Sequence, residues 1–303
     1  MTRPGMDSYN EFGLFGENIT EYGIDASAAP HVRRVNVEME DGRNLSALVW
    51  GSGDPRLVLI HGGAQNAHTW DTVALALGVP LVAIDLAGHG HSDWREDAIY
   101  SHDNLAKDVV TAIERLAPNA RAVVGMSLGG LTALSVAHRA PQLVRHLVLI
   151  DITPGVNAKK AKAVLDFVNG PQSFDSFDDL LARTQEHNPT RSESSLRRGI
   201  LHNAVQLDDG SWQWRYDRGN HARSSVVDDP NSNGFAELWE AISELKCPIL
   251  VVRGGLSPVV DDDDVAEVKR RKASADIVVI ENAGHSIQGD RPIELAELLR
   301  RLA

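Results

Sequence analysis

The segment Ala122-Val123-Val124-Gly125-Met126-Ser127-Leu128-Gly129-Gly130-Leu131-Thr132-Ala133-Leu134 passes from a short apolar run, through a glycine-flanked serine, into a helix-forming stretch. The run ending at Val124 suits a strand buried on both faces. At a tight strand-to-helix turn the backbone passes close to itself, so the neighbours of the serine must be small. The turn lifts the hydroxyl above the sheet, and the first amides of the following helix point at the same place. This is the nucleophile-elbow pattern, G-x-S-x-G. The bare pattern also occurs by chance in loops; the strand before it and the helix after it carry the catalytic reading of Ser127.

Working outward, similar short apolar runs recur at Leu57-Val58-Leu59-Ile60, Leu81-Val82-Ala83-Ile84, Leu147-Val148-Leu149-Ile150, Ile249-Leu250-Val251-Val252 and Ile277-Val278-Val279-Ile280. Helical patterns at about 68–77, 101–117, 128–140, 261–272 and 292–302 separate most of them. Strands alternating with helices of this length imply an α/β fold, a doubly wound and mostly parallel sheet. Residues 32–39 alternate as a half-buried strand, and Asp41-Gly42 turns them into 44–50, an antiparallel hairpin at the leading edge. The sheet thus counts eight strands. Between Ile150 and Ile249 no comparable run occurs, only helical stretches at 158–168, 176–186 and 193–205 and the segment Trp212-Gln213-Trp214-Arg215-Tyr216. The expected organisation is an N-terminal arm over 1–30, loosely packed or partly disordered, a core over 31–154 and 236–303, and a mainly helical insertion over 155–235.

Composition narrows the class. A hydrophobic content of 43% over 303 residues supports a sizeable core. A formal net charge of -12 disfavours nucleic acid and anionic membrane surfaces as partners. No window is long and apolar enough to span a bilayer, and the N-terminus lacks the apolar segment of a secretory signal, so a cytoplasmic location is expected. Cys247, the single cysteine, opens the buried-strand run at 249–252 and reads as a small buried hydrophobe. With no cysteine cluster for zinc, and G-x-S-x-G-G in place of the dinucleotide fingerprint, neither a metal nor a cofactor is expected.

An activated serine needs a base. Asn282-Ala283-Gly284-His285-Ser286 follows the last apolar run, and a histidine in a glycine-preceded loop there can reach over Ser127. Of the other histidines, His61, His89 and His91 lie in glycine-rich loops and read as loop-shaping. His138, His187, His202 and His221 have no motif around them.

From about residue 32 to its end the chain resembles the α/β-hydrolase superfamily, with an insertion where that family carries its cap. The matching motifs are the elbow, Leu59-Ile60-His61-Gly62-Gly63, Asp85-Leu86-Ala87-Gly88-His89-Gly90-His91-Ser92 and Gly284-His285. The resemblance implies an oxyanion hole formed by the backbone N–H groups of Gly63 and Leu128, and a structural role for Asp85. Two fixed donors would supply roughly 3 kcal/mol each of transition-state stabilisation. It also implies an acid after the run 249–252, but there the sequence reads Arg253-Gly254-Gly255-Leu256-Ser257, with Ser257 in the acid's usual place. Two candidates remain. Asp151 follows the run 147–150, 24 residues beyond Ser127, where some esterases and lactonases of the superfamily carry their acid. Asp261 lies a few residues past the usual position, but Asp261 to Asp264 also suit a helix N-terminus. Asp151 is preferred.

A serine at the elbow excludes the resembling aspartate-nucleophile enzymes of the superfamily, epoxide hydrolases and haloalkane dehalogenases. Hydrolysis of a small apolar ester or lactone through an acyl-enzyme is therefore the first expectation. Carbon–carbon bond hydrolysis of a dienone-type metabolite is the second, a thioesterase the third. A non-catalytic small-ligand binding protein on the same fold is the alternative from another class. Half of the 16 aromatic residues fall between 155 and 240. They either roof an apolar pocket or hold the insertion together. The insertion has no concentrated basic patch, so a polyanionic substrate is not expected.

Overall fold

A computed structural model describes residues 10–25, 31–219 and 235–303. The central sheet has eight strands: β1 (Val32–Glu38), β2 (Asn44–Trp50), β3 (Leu57–Ile60), β4 (Leu81–Ile84), β5 (Ala122–Met126), β6 (Leu147–Ile150), β10 (Ile249–Gly254) and β11 (Asp276–Ile280). Their order across the sheet is β1-β2-β4-β3-β5-β6-β10-β11. The β1–β2 and β2–β4 pairs are antiparallel, and the others are parallel. Strand β3 is buried along its whole length because both of its faces are covered. Val58 and Ile60 join the hydrophobic layer on one side of the sheet, Leu57 and Leu59 the layer on the other. That period of two explains a continuous apolar run with no polar alternation.

The helices are α1 (Phe15–Tyr22), α2 (Asp71–Leu77), α3 (His102–Leu116), α4 (Leu128–Arg139), α5 (Lys162–Val168), α6 (Phe177–His187), α7 (Glu193–Asn203), α8 (Ala236–Glu244), α9 (Asp262–Arg271), α10 (Ile287–Asp290) and α11 (Pro292–Arg300). Several start where a side chain satisfies a free amide: Ser101, Ser176 and Ser192 each accept from a backbone N–H in the first turn of α3, α6 and α7. No helix among the described residues is long and apolar enough to cross a membrane.

Register positions the site. Met126 of β5 pairs with Ile150 of β6, and Ile150 pairs with Val252 of β10. The residues just past these, Ser127 and Asp151, therefore stand side by side at the carboxyl edge of the sheet. In open α/β sheets that edge is where ligands bind.

One region differs from expectation, and another holds more than its pattern announced. Residues 10–25 are not a loose arm: Phe12, with Phe15 and Ile19 of α1, packs on the core layer that contains Trp50, and the Phe15 and Trp50 ring centroids are 5.1 Å apart. Its polar face carries Glu17 and Glu21 to Arg198 of α7. The stretch is short and irregularly patterned, so its apolar residues show their purpose only against the sheet. Residues 1–9 and 26–30 of the expected arm lie outside the described residues. The insertion is mainly helical, in α5, α6 and α7, but not wholly so. It contains a three-stranded antiparallel sheet of β7 (Ser173–Phe174), β8 (Ala204–Gln206) and β9 (Trp212–Trp214), in the order β7-β9-β8. Most of its aromatic residues pack on each other around this sheet, while Phe235 at its end packs on the main core with Trp239 of α8.

Candidate active site

Ser127 sits between β5 and α4 with φ 52° and ψ -121°. Such a backbone costs a non-glycine residue on the order of 1–3 kcal/mol and persists only when its surroundings enforce it. They do so here. A Cβ on Gly125 would lie 2.2 Å from the Gly129 carbonyl oxygen, and one on Gly129 would lie 2.4 Å from that of His61. No residue but glycine fits at either position.

His285 lies in the loop after β11. Its Nε2 is 3.0 Å from Ser127 Oγ, and its Nδ1 is 2.8 Å from Asp151 Oδ2. A carboxylate only accepts, so Nδ1 carries the proton and Nε2 faces the serine hydroxyl as an acceptor. Asp151 is fully buried, with φ 48°. Its Oδ1 accepts from the Gly254 amide at 2.9 Å, and its Oδ2 also accepts from the Ser257 hydroxyl. Ser257 thus stands where the sequence resemblance expected an acid, and donates to Asp151 at the end of the neighbouring strand. Sequence reading registered only that a carboxylate was missing there.

Asp261 is elsewhere. It caps α9, accepting from the Asp264 amide at 3.0 Å, and it pairs with Lys160 at 2.9 Å. The helix-start reading of the acidic run is the one the structure shows.

The two residues proposed as oxyanion donors, Gly63 and Leu128, lie close to one another beside the elbow. Leu128 opens α4, so its N–H has no intrahelical carbonyl. A Cβ on Gly63 would lie 3.9 Å from Leu128 Cδ2, and one on the preceding Gly62 would lie 2.5 Å from Met126 Sδ. That loop is held by Gln65, a residue sequence reading passed over. Gln65 Oε1 accepts from the Gly62 amide at 3.1 Å and from Gln288 at 3.3 Å, and its amide donates to Ser286 at 3.4 Å. Gln65 therefore links the loop before the elbow to the loop that carries His285. Asp290 braces the same loop by accepting from the Gly284 amide at 2.7 Å.

A cavity of about 360 Å³ opens above these groups, walled by Val164, Phe167, Leu256 and Val259 with Ser127 and His285 at its floor. Of the aromatic residues in the insertion, Phe167 reaches this wall. Lys160 also borders it, but its charge is committed to Asp261 and Asp264.

Beside the site lies a buried polar network that the motifs only hint at. Asp85 is fully buried; it accepts from the Ala67 amide at 2.7 Å and the His91 amide at 3.0 Å, and pairs with Arg34 at 2.7 Å. Burial opposes its charge, yet Arg34 and these amides hold its carboxyl down to about 2. Arg34 also pairs with Glu11, which lies 3.1 Å from His68 Nε2, while His68 Nδ1 lies 2.8 Å from Asp71. Buried but bracketed by two carboxylates, His68 is raised to about 9. His61 is neutral and loop-shaping: burial lowers its pKa, its Nδ1 donates to the Gly62 carbonyl, and its Nε2 accepts from the Leu86 amide.

His68, Asp71 and His202 bring ligand atoms within 4.8 Å of one another, the arrangement among the described residues that could hold a metal ion. The two imidazoles, however, stack at 3.9 Å and 10°. A metal bound in the plane of each ring cannot be shared by two parallel planes unless one ring turns. In the observed conformation the group is an ion-pair network rather than a formed metal site.

The geometry agrees with what known proteins resemble this chain. A model of the Alpha/beta hydrolase family matches residues 57–298. Esterase Rv0045c of Mycobacterium tuberculosis is 43% identical over 302 residues, covering 97% of this chain and 96% of the relative. A solved structure of that esterase superposes with a TM-score of 0.83 at 42% identity, covering 97% of this chain and 99% of the other. The 3-hydroxybutyrate-oligomer hydrolase of Cupriavidus necator is 30% identical over 261 residues, 82% of this chain and 88% of the relative. With the family match over most of its length, and with near full-length similarity to a hydrolase of the same fold, this chain belongs to the alpha/beta hydrolase family.

Proposed function

We propose that this chain hydrolyses a small carboxylic ester with Ser127 as nucleophile, His285 as base and acid, and Asp151 as the carboxylate that orients His285. Ser127 Oγ attacks the ester carbonyl as its proton passes to His285 Nε2, and the oxygen of the tetrahedral intermediate is held by the N–H groups of Gly63 and Leu128. Collapse expels the alcohol, which takes the proton from His285, and leaves the acyl group on Ser127. Water then attacks the acyl-enzyme by the same route and releases the acid. The insertion, about 155–235, acts as a cap whose Val164 and Phe167 form an apolar wall for the substrate.

One observation carries the reading: an unbroken relay of 3.0 and 2.8 Å from the strained Ser127 through His285 to buried Asp151. Similarity to an enzyme named esterase supports the choice of bond. The test is hydrolysis of short p-nitrophenyl esters by the wild type and by Ser127→Ala, His285→Ala and Asp151→Asn. Each variant should lose roughly 10⁴-fold or more in kcat with the fold retained. A wild type that turns over no ester, or an Asp151→Asn variant near wild-type rate, would overturn the mechanism.

A further inference from the structure

Beside the proposed ester site stands a half-buried cation, Arg191, that forms no ion pair with a carboxylate among the described residues. Arg191 lies between α6 and α7, and its side chain is drawn in over Gly289 of α10, where a Cβ would fall 2.9 Å from Arg191 Cζ. Nη2 donates to Ser195 Oγ at 2.7 Å. Nε is buried with no acceptor, and among the described residues no carboxylate forms an ion pair with Arg191. Arg198, in the second turn of α7, shows the contrast: it is paired with Glu21 and Glu17. Two carboxylates near enough to act on Arg191 through their charge have other partners. Asp290 accepts from Thr190 and from the Gly284 amide, and Glu21 accepts from Ser192 and Arg198. Burial consequently outweighs attraction, and the Arg191 pKa is lowered.

A guanidinium taken out of water without a counter-ion is destabilising, and such groups are retained where something else supplies the charge. Arg191 borders a second, polar cavity of about 130 Å³ between core and cap. This cavity meets the one over Ser127 at Ala64, Gln65, Phe167, Asn188 and Ser286, which line both. Of the other charged groups that line it, Asp71 is paired with His68, and Arg198 with Glu21 and Glu17.

We propose that Arg191 is the anion-recognising element of a substrate subsite, and that the ester this enzyme prefers carries a carboxylate. The planar fork of arginine matches a carboxylate better than any other side chain, and one unpaired guanidinium suits one negative charge. This builds on the ester-hydrolase reading above and narrows it from a neutral, apolar substrate to an ester of a carboxylate-bearing acid or alcohol.

The experiment compares kcat/KM for matched pairs. Mono-p-nitrophenyl glutarate is set against p-nitrophenyl pentanoate for an anion on the acid side. Monoacetylated glycolate is set against methoxycarbonylmethyl acetate for an anion on the alcohol side. Wild type should prefer the anionic member of one pair, and Arg191→Gln should lower that anionic-to-neutral ratio by about 30-fold or more, mainly through KM. Arg191→Lys, which keeps the charge but not the fork, should fall between. A merely structural Arg191 would shift both members of a pair together and leave the ratio unchanged, which overturns the inference. So does a wild type that favours the neutral ester in both pairs, a result that needs no variant and leaves the ester reading intact. If no ester is turned over, the ester reading fails separately. Calorimetric titration with monomethyl glutarate then decides the subsite: binding to wild type but not to Arg191→Gln supports it, and no binding to wild type overturns it.

Discussion

Ser257 donates its hydroxyl to the same Asp151 oxygen that accepts from His285, and the Gly254 amide fills the other oxygen. A carboxylate held by three donors keeps its angle, which fixes the direction in which it can accept from an imidazole N–H. Hydrogen bonds to charged groups contribute about 1.5–3 kcal/mol. Ser257→Ala should accordingly lower kcat for ester hydrolysis by roughly 10- to 100-fold with KM little changed, and Ser257→Thr should recover part of the loss. Asp261→Asn, which touches Lys160 and the start of α9 but not His285, should stay within about twofold of wild type. Steady-state kinetics on one p-nitrophenyl ester separates the two. Equal losses at Ser257 and Asp261 would contradict the assignment of Asp151.

Among the elements, the turn between β5 and α4 and the docking of α1 on α7 bear the heaviest constraints. The turn has no slack, since a methyl group on Gly125 would meet the Gly129 carbonyl at 2.2 Å. Backbone cannot yield as a flexible side chain can, so Gly125→Ala should cost at least about 1–3 kcal/mol. A thermal melt should show this as a drop in Tm together with loss of activity. The α1–α7 contact is electrostatic: Arg198, which is buried, depends on Glu21 and Glu17. Replacing both glutamates with glutamine leaves that guanidinium without its counter-ions. Amide hydrogen exchange should then rise in α1 and α7 together while β3, β5 and β6 stay protected. Faster exchange in α1 alone would mean that it does not brace the cap.

Over the whole molecule, the chain of charges Asp85–Arg34–Glu11–His68–Asp71 ties residues before the sheet to the loop beneath the cap. Its pH dependence has two limbs. Asp85 and Glu11, buried but paired with Arg34 and other donors, are held near 2, below their ordinary values. Their stabilisation is complete above the unfolded carboxylate range near 4 and is lost as pH falls toward 2. His68 is raised to about 9, so its contribution is complete below about 6.5 and is lost as pH rises through 9. Tm should form a plateau between about pH 5 and 6.5, decline gradually above it and fall steeply below pH 4. His68→Gln should lower the plateau and flatten the alkaline limb while leaving the acid limb in place, which calorimetry from pH 3 to 10 can measure. An unchanged alkaline slope in that variant would show that His68 is not its source.

Some of this was written in local sequence. Short apolar runs announce buried parallel strands because no polar residue is tolerated on either face, and the elbow announces itself because only glycine fits around Ser127. His285 was legible for a similar reason, a glycine-preceded histidine after the last strand. These are constraints that a residue and its immediate neighbours must satisfy, so they leave a pattern. Other features left none. Asp151 and Asp261 are equally carboxylates at strand or helix boundaries; the pairing of Ile150 with Met126 and Val252 is what brings Asp151 to His285 and leaves Asp261 to cap a helix. The lack of a paired carboxylate at half-buried Arg191 among the described residues, the pairing of Arg198 and the docking of α1 likewise depend on residues far apart in the chain. The strength of a charge is set by what surrounds it, and only the folded chain decides what surrounds it.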